Sequence, residues 1–187
     1  LTFSKQWGMQ HFFSSCSTYA RGVAILIRNT VDFWVVETLS DSLGPMLLVA
    51  GYRHNTRVLL ANVYAPNVDD PGFYNDFLAL GSKYRDWPLL WGIDFNTTLS
   101  PEIDSTSDIH PSTPRAAASL STLMWLLSLV NVWRKLHPET SEYTYYSTIH
   151  NMYSRIDHWL VDMSIFPKIT DCCILPRSLS DHSPIML

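Results

Sequence analysis

The strongest constraint on the fold is a succession of strand-length segments that are rich in β-branched and aromatic residues and separated by short polar interruptions. Four of these segments follow one another closely, at residues 22–28, 31–38, 46–52 and 57–64. Short strands joined by short turns predict an antiparallel meander. His54 and Asn55 form the predicted tight turn between the third strand and the fourth.

Two helices are predicted downstream of this strand-rich region. In the first, Asp70 is the expected N-cap and Pro71 the first helical position, and apolar residues recur at helical spacing until Gly81. A second, longer helix is predicted to start at Thr113 and Pro114. Its apolar stripe is expected to pack in the core and consists of Leu120, Leu123, Met124, Leu127 and Val130.

Further strands alternate with these helices. The apolar run at residues 88–93 is too short for a helix and predicts a buried strand that ends at Asp94. Two more strands are predicted at residues 143–147 and 155–161, on either side of a polar loop. Strand groups that alternate with helices, with no internal repeat and no linker, predict a single layered α/β sandwich. The 47% hydrophobic content of the 187 residues agrees with one globular core.

Glycine spacing, hydropathy and charge exclude several classes of site. No two of the seven glycines lie closer than seven positions, which excludes both the G-x-G-x-x-G motif and the Walker loop. No apolar run reaches the roughly 18 residues of a membrane-spanning helix, so no membrane association is expected. The net charge of -4 lies entirely after residue 93 and argues against binding of nucleic acid through a general basic surface. It leaves open a small site in which carboxylates surround a cation.

Polar residues gather at the ends of the predicted strands. Three carboxylates and a histidine among them can bind a hard cation and move protons. Each cluster also has an ordinary structural explanation, because an Asp-x-Asn after a strand is usually a turn, and an Asp beside an Arg or a His is usually a solvated surface pair. The clusters are Asn62 with Tyr64, Asp94 with Asn96, Asp157 close to Arg155, and Ser180 with Asp181 and His182.

The order of these clusters and the residues around them carry a family resemblance. The segments are Arg-Gly-Val-Ala-Ile-Leu at 21–26, Asn-Val-Tyr-Ala-Pro-Asn at 62–67, Gly-Ile-Asp-Phe-Asn at 92–96, Ser-Arg-Ile-Asp-His at 154–158 and Ser-Asp-His-Ser-Pro at 180–184. In this order they resemble the endonuclease/exonuclease/phosphatase superfamily, and in particular the apurinic-like endonuclease domain encoded by non-LTR retrotransposons of the long interspersed element type. Glu-Tyr-Thr-Tyr-Tyr-Ser at 142–147 is similar to the Glu-Tyr-Thr-Phe-Phe-Ser of that group.

The resemblance implies a fold and an activity. Members of this superfamily are four-layered α/β sandwiches, with two mostly antiparallel sheets flanked by helices. They use Mg²⁺, with Mn²⁺ as the alternative, to hydrolyse phosphodiester bonds. For this chain the resemblance implies a DNA-nicking endonuclease of a retrotransposon, with DNA as substrate, a nuclear location, and a reverse transcriptase domain encoded downstream as a partner.

The resemblance also implies roles for five catalytic residues. Asp94 matches the carboxylate that activates water or protonates the leaving oxygen, and Asn96 matches the amide that orients this carboxylate. Asp157 and His182 match a pair in which the carboxylate holds the imidazole tautomer and the imidazole meets the scissile phosphate. Tyr64 matches a phenol that contacts the phosphate.

Four other residues and one loop are assigned in the same way. Asp181 matches a carboxylate on the metal side of the site. Thr144 and Ser180 match supporting hydrogen-bond donors near the substrate, and Asn62 is grouped with them as a substrate-binding residue. The loop at residues 147–154 matches a hairpin tip that in this group contacts DNA beside the nick.

Two departures from the family pattern give further expectations. Ile93 stands where the family usually places a small residue, and a β-branched side chain there is expected to crowd the floor of the site. Leu1 and Thr2 are similar to a Leu-Thr that follows Gln-Glu-Thr-His in the retrotransposon group, and the Glu of that motif is the principal metal ligand. The domain at residues 1–187 is therefore expected to lack its first strands and this ligand, and to be impaired as an enzyme.

Two alternatives remain open at this point. One is a phosphatase or phosphodiesterase of the same superfamily that acts on lipid or inositol phosphates, which the acidic balance slightly favours. The other is an inactive remnant derived from a retrotransposon. The in-frame sequence upstream of residue 1 distinguishes the enzyme from the remnant.

Overall fold

The computed structural model describes residues 8–15, 22–107, 114–178 and 180–187. The strands are β1 (Met9–Ser15), β2 (Gly22–Arg28), β3 (Phe33–Ser40), β4 (Met46–Arg53), β5 (Thr56–Tyr64), β6 (Leu89–Asp94), β7 (Leu129–Asn131), β8 (Tyr145–Ser147), β9 (Met152–Ser154), β10 (Asp157–Asp162), β11 (Cys173–Ile174) and β12 (Ile185–Met186). The helices are α1 (Gly72–Gly81), α2 (Pro101–Asp104), α3 (Arg115–Leu126) and α4 (Val132–Leu136), with 3-10 turns at Ser82–Tyr84 and Phe166–Lys168.

A six-stranded mixed sheet, in the order β3-β4-β5-β6-β10-β7, forms the centre of the molecule. Its β5 and β6 pair in parallel, and the other neighbours pair antiparallel. Two-stranded sheets are formed by β1 with β2, β8 with β9, and β11 with β12. The predicted α/β class is confirmed.

Successive residues of a strand point to opposite sides of the sheet. Both faces of the central sheet carry buried apolar side chains and are covered by other elements. On one face, Leu48 and its neighbours pack against α1 and α3, where Phe77 stacks on Trp91 with ring centroids 4.0 Å apart. On the other face, Val49 packs with Ile27 of the β1–β2 sheet. Further along this face, α4 and the β11–β12 sheet pack against β10. The described layers are therefore helices, the central sheet, and a layer of smaller sheets.

The predicted meander is right for three strands and wrong for the first. Strands β3, β4 and β5 pair antiparallel in sequence order, and His54 has a φ of 52° at the predicted turn. The segment at residues 22–28 instead pairs with β1, a strand that the sequence analysis missed. Because Ile27 buries its side chain over β4, β2 lies on the face of the central sheet and not at its edge.

The helices differ from prediction in detail. Helix α1 begins at Gly72 and Pro71 is its N-cap, while the carboxylate of Asp70 accepts the Gly72 N–H at 3.0 Å. Helix α3 ends at Leu126, and Ser128 has a φ of 52°. The change of direction there places Val130 in β7, so the predicted helical stripe that included this residue was too long.

Some predictions fall outside the described part of the chain. They concern Leu1 and Thr2, the start of the second helix at Thr113, and Arg21 at the head of the first family segment. The side chain of Ile93 also lies outside the described part. Among the helices of the described ranges, none combines the length and the apolar character needed to cross a bilayer.

Candidate active site

Three strand ends meet at one edge of the central sheet. Tyr64 is the last residue of β5 and is paired in register with Asp94, the last residue of the parallel strand β6. Asp94 is paired in turn with Asp157, the first residue of the antiparallel strand β10. Parallel strands finish at the same edge, and an antiparallel neighbour starts there. The sheet therefore brings one phenol and two carboxylates into a single row.

The turn after β6 fixes the first carboxylate. Asn96 has a φ of 49°, a left-handed conformation that Asn tolerates better than most residues. Its backbone N–H donates to Asp94 Oδ1 at 2.9 Å, and its side-chain amide donates to the carbonyl of Ala65 at 2.7 Å. The Ala65 N–H donates back to the carbonyl of Asp94 at 2.8 Å. Asn96 thus orients Asp94 through its backbone, while its side chain ties this turn to the end of β5.

An imidazole completes the group from a distant part of the chain. His182 Nδ1 lies 2.8 Å from Asp157 Oδ2, and the two side chains are about a quarter exposed, at 27% and 23%. The Tyr145 ring lies 4.8 Å from the imidazole, centroid to centroid, and an isolated β-bridge joins the two backbones. His182 is therefore held on one side by a carboxylate and on another by an aromatic ring.

Thr144 connects this histidine segment to β10. Its hydroxyl oxygen accepts the N–H groups of Ile156 and Asp157 at 3.1 and 3.2 Å. Its carbonyl accepts the Ser183 N–H at 2.6 Å. Since Thr144 is only 1% exposed, the geometry gives it a supporting position behind Asp157 and His182.

One ligand atom from each of Asp94, Asp157 and His182 lies within 4.8 Å of the other two. Burial, together with the nearby negative charge of Asp157, raises the pKa of Asp94 to about 6. The hydrogen bond that His182 donates to Asp157 raises the pKa of His182 above its ordinary value, against an opposing effect of burial. The site therefore concentrates negative charge and favours a protonated imidazole.

The donor chemistry of this group fits a hard divalent cation. Carboxylate oxygens are the ligands that Mg²⁺ and Mn²⁺ prefer. Asp94 is partly buried beside the carboxylate of Asp157, and both conditions raise its pKa; a bound cation relieves such crowding of negative charge. Asp94 and Asp157 are the side chains placed to hold it.

The other predicted residues lie around this group. Tyr64, which is 37% exposed, borders an open cavity of about 260 Å³ together with Asn62, Asp94 and Asp157. The side-chain amide of Asn62 donates to the carbonyl of Ala24 in β2 at 2.8 Å. This contact ties β5 to the smaller sheet.

Asp181 and Ser180 lie on the exposed side of the site. Ser180 Oγ donates to the Asp181 carboxylate at 3.1 Å and accepts the His182 N–H at 3.2 Å. Asp181 is not part of the group within 4.8 Å, although its charge contributes to the raised pKa values of Asp94 and His182. The nine predicted residues thus surround one site, with Asp94, Asp157 and His182 at its centre.

A buried ion pair that was not predicted from the sequence lies beside the site. The ordinary explanation of a solvated surface pair does not hold for Arg155, because Arg155 and Asp104 are both 0% exposed and pair at 2.8 Å. Asp104 follows the Asp94 turn in α2, and Arg155 precedes β10. These partners are 51 positions apart, and no local pattern in the sequence predicts their contact.

The fold and the site together define a class: an α/β sandwich with carboxylates and an imidazole at one edge of its central sheet. Residues 4–182 match the Endonuclease/Exonuclease/phosphatase family. The chain belongs to this family.

Individual relatives support the same placement. A curated relative, the Transposon TX1 uncharacterized 149 kDa protein of Xenopus laevis, is 26% identical over 191 residues and matches 100% of this chain. The chain spans only 14% of the length of that relative.

Two solved structures share the fold. The AP endonuclease LMAP from Leishmania major has a TM-score of 0.72 at 17% identity, over 95% of this chain and 69% of its own. The 3'-5' exonuclease NExo from Neisseria meningitidis has a TM-score of 0.69 at 24% identity, over 97% of this chain and 79% of its own.

Proposed function

We propose that this chain is a DNA-nicking endonuclease domain of the retrotransposon type, which hydrolyses phosphodiester bonds with the help of Mg²⁺ or Mn²⁺. The observation that carries the proposal is the convergence of Asp94, Asp157 and His182 within 4.8 Å at one edge of the sheet. Family membership and the similarity to a transposon protein support it.

The requirements of phosphodiester hydrolysis agree with the side chains of Asp94, Asp157 and His182. A phosphodiester is anionic and repels a nucleophile, so its hydrolysis needs charge neutralisation, an oriented water and a proton for the departing alkoxide. A divalent cation held by Asp94 and Asp157 would supply charge neutralisation. The side chains supply the proton transfers.

Asp94 is suited to exchange a proton near neutral pH. Without a bound cation its pKa is about 6, so it is mostly ionised at pH 7 and binds a proton more readily than an ordinary carboxylate. The hydrogen bond from Asn96 to Asp94 Oδ1 leaves Oδ2 available for this transfer.

His182 supplies positive charge for the phosphate. Asp157 engages Nδ1, which directs Nε2 away from the pair and fixes the ring orientation. The raised pKa of His182 favours the protonated imidazole, whose Nε2 N–H donates to a phosphoryl oxygen, where charge builds up in the transition state.

A supercoiled plasmid nicking assay tests the proposal. The 187-residue protein is expected to convert supercoiled plasmid to open circles in the presence of Mg²⁺ and to stop when EDTA is added. Asp94→Asn and His182→Ala are each expected to lower the rate by about 100-fold or more. Asp162→Asn, at the far end of β10, is the matched control and is expected to retain activity.

Two outcomes would count against this function. Equal nicking by the wild type and by both site variants would mean that another residue or a contaminant cleaves the DNA. Release of phosphate from inositol polyphosphates without any nicking would favour a phosphatase of the same family.

The proposal also includes the level of activity, a partner domain and the location in the cell. The impaired activity expected from the sequence remains a prediction, tested by comparing nicking rates of the 187-residue protein and of a polypeptide extended upstream. Cooperation with a reverse transcriptase domain and a nuclear location are part of the retrotransposon proposal. Co-expression and imaging of a longer polypeptide test them.

A further inference from the structure

A buried ion pair joins the two segments that carry Asp94 and Asp157. Arg155 Nε and Nη2 donate to Asp104 Oδ1 at 3.0 and 2.8 Å, and Nη2 also reaches Oδ2 at 2.9 Å. Neither side chain is exposed to solvent. A forked contact of this kind fixes both the distance and the angle between the segments that it joins.

The backbone reinforces this connection. The Arg155 N–H donates to the carbonyl of Asp104 at 2.8 Å, and the Phe95 N–H donates to the carbonyl of Ile156 at 2.8 Å. Phe95 and Ile156 are each the immediate chain neighbour of a site carboxylate. The ion pair and these two backbone hydrogen bonds therefore connect the same two stretches of chain, and the bond between Phe95 and Ile156 lies next to the site carboxylates.

Arg155 also holds the start of β10 through a second contact. Its Nη1 lies 2.8 Å from Nδ1 of His158, the residue after Asp157. A guanidinium can only donate, so Nδ1 accepts and the imidazole is neutral. Burial, followed by the charge of Arg155, lowers the pKa of His158 well below its ordinary value. Arg155 thus restrains the chain on both sides of Asp157.

We propose that Asp104 is a positioning residue, which acts through Arg155 to set the separation of the Asp94 and Asp157 carboxylates. The inference rests on the proposed function, since it assigns these two carboxylates to the reaction. Asp104 is buried and acts without touching the substrate. Its removal lowers turnover because the reacting groups must be held within a fraction of an ångström of their productive geometry.

The same carboxylate provides a matched control. Arg134 Nη2 also donates to Asp104 Oδ1. Its Nη1, however, donates to the carbonyls of His137, Pro138 and Thr140 at 3.0 to 3.1 Å. Arg134 therefore ties Asp104 to the loop after α4, and none of its side-chain hydrogen bonds among the described residues reaches the segment that carries Asp157.

Steady-state kinetics of plasmid nicking separate the two arginines. Asp104→Asn and Arg155→Lys are expected to lower kcat by about 10-fold or more, with KM changed less than about twofold. Arg134→Lys is expected to keep kcat within about twofold of the wild type. A fall in kcat for Arg134→Lys as large as that for Arg155→Lys would overturn the proposal, as would unchanged kcat in Asp104→Asn.

A double variant separates positioning from the cost of an unpaired buried charge. Asp104→Leu/Arg155→Met removes both charges of the fully buried pair and leaves Arg134 with its three carbonyl acceptors; apolar replacements of a buried pair often preserve stability. Its thermal midpoint is expected to lie closer to the wild type than that of Asp104→Asn, while kcat stays low. Recovery of kcat together with stability would show that Asp104 serves only the fold.

Amide hydrogen exchange gives a readout that does not depend on activity. In Asp104→Asn, the Phe95 amide is expected to exchange about 10-fold faster or more, while the Leu90 amide at the far end of β6 keeps its wild-type rate. Equal acceleration at both amides would indicate global destabilisation and overturn the proposal. If the wild type does not nick DNA but exchange is locally faster, the proposed function fails and the positioning contact stands.

Discussion

At the scale of single residues, the site depends on pairs of charged groups whose environments shift their pKa values in useful directions. Asp94 is partly buried beside Asp157, so its pKa rises to about 6. His182 Nδ1 donates a hydrogen bond to the Asp157 carboxylate, and the pKa of His182 rises as well. One carboxylate thus serves two functions, since Asp157 repels the charge on Asp94 and attracts the charge on His182. A single substitution at Asp157 should therefore change the pKa values of both Asp94 and His182.

This coupling predicts a measurable titration. In the metal-free protein, NMR titration should give a His182 pKa above the ordinary value of about 6.5, and Asp157→Asn should lower it. Because the folded-state pKa is the higher one, the pair stabilises the fold fully below the unfolded pKa of histidine. That contribution is lost as the pH rises through the folded pKa. A wild-type His182 that titrates at or below the ordinary value would contradict the hydrogen bond.

At the scale of elements, strand packing leaves no room at certain positions of the central sheet. Gly51 in β4 lies opposite Val35 of β3. A methyl group added at Gly51 would lie 2.5 Å from Phe33 Cε1 and 2.7 Å from the Trp34 carbonyl oxygen. Phe33 is itself buried between β4 and the β1–β2 sheet, so its ring cannot move aside freely. Close packing between the central sheet and the β1–β2 sheet therefore requires glycine at position 51.

Gly51→Ala should accordingly lower the free energy of unfolding by about 1–3 kcal/mol, the range for an overpacked core. Urea denaturation followed by tryptophan fluorescence measures this change. Gly72→Ala, at the start of α1, is a suitable control because its added methyl group would meet only the Asp70 side chain, at 3.2 Å. Equal stability of the two variants would show that β3 can shift to accept the methyl group.

At the scale of the whole molecule, charge limits how DNA can be held. The net charge is -4, and within the described residues no Lys or Arg lines the cavity beside the site. When a protein binds DNA through many phosphate contacts, its affinity falls steeply with salt. The slope of log affinity against log salt concentration is near −0.9 per contact. For the proposed function, recognition here must rest on few such contacts and on the site itself.

Salt dependence tests this view. The slope of log(kcat/KM) for plasmid nicking against log salt concentration should be shallower than about −3, which corresponds to roughly three phosphate contacts. Nicking rates between 50 and 200 mM salt, or about that range, cover the useful interval. A slope steeper than about −6 would indicate many more phosphate contacts and would contradict this view.

The sequence by itself predicted the longer strands of the central sheet, the two longer helices and the polar clusters at strand ends, because these follow from local patterns. Segments rich in β-branched and aromatic residues predicted β3 to β5, a short apolar run predicted β6, and the residues at strand ends predicted which side chains gather. The tertiary structure decided what these patterns leave open. It packed β2 against the face of the central sheet, buried Arg155 against Asp104, and set the distance between His182 and Asp157. These contacts join residues distant in the chain and depend on burial and packing, which no local pattern encodes.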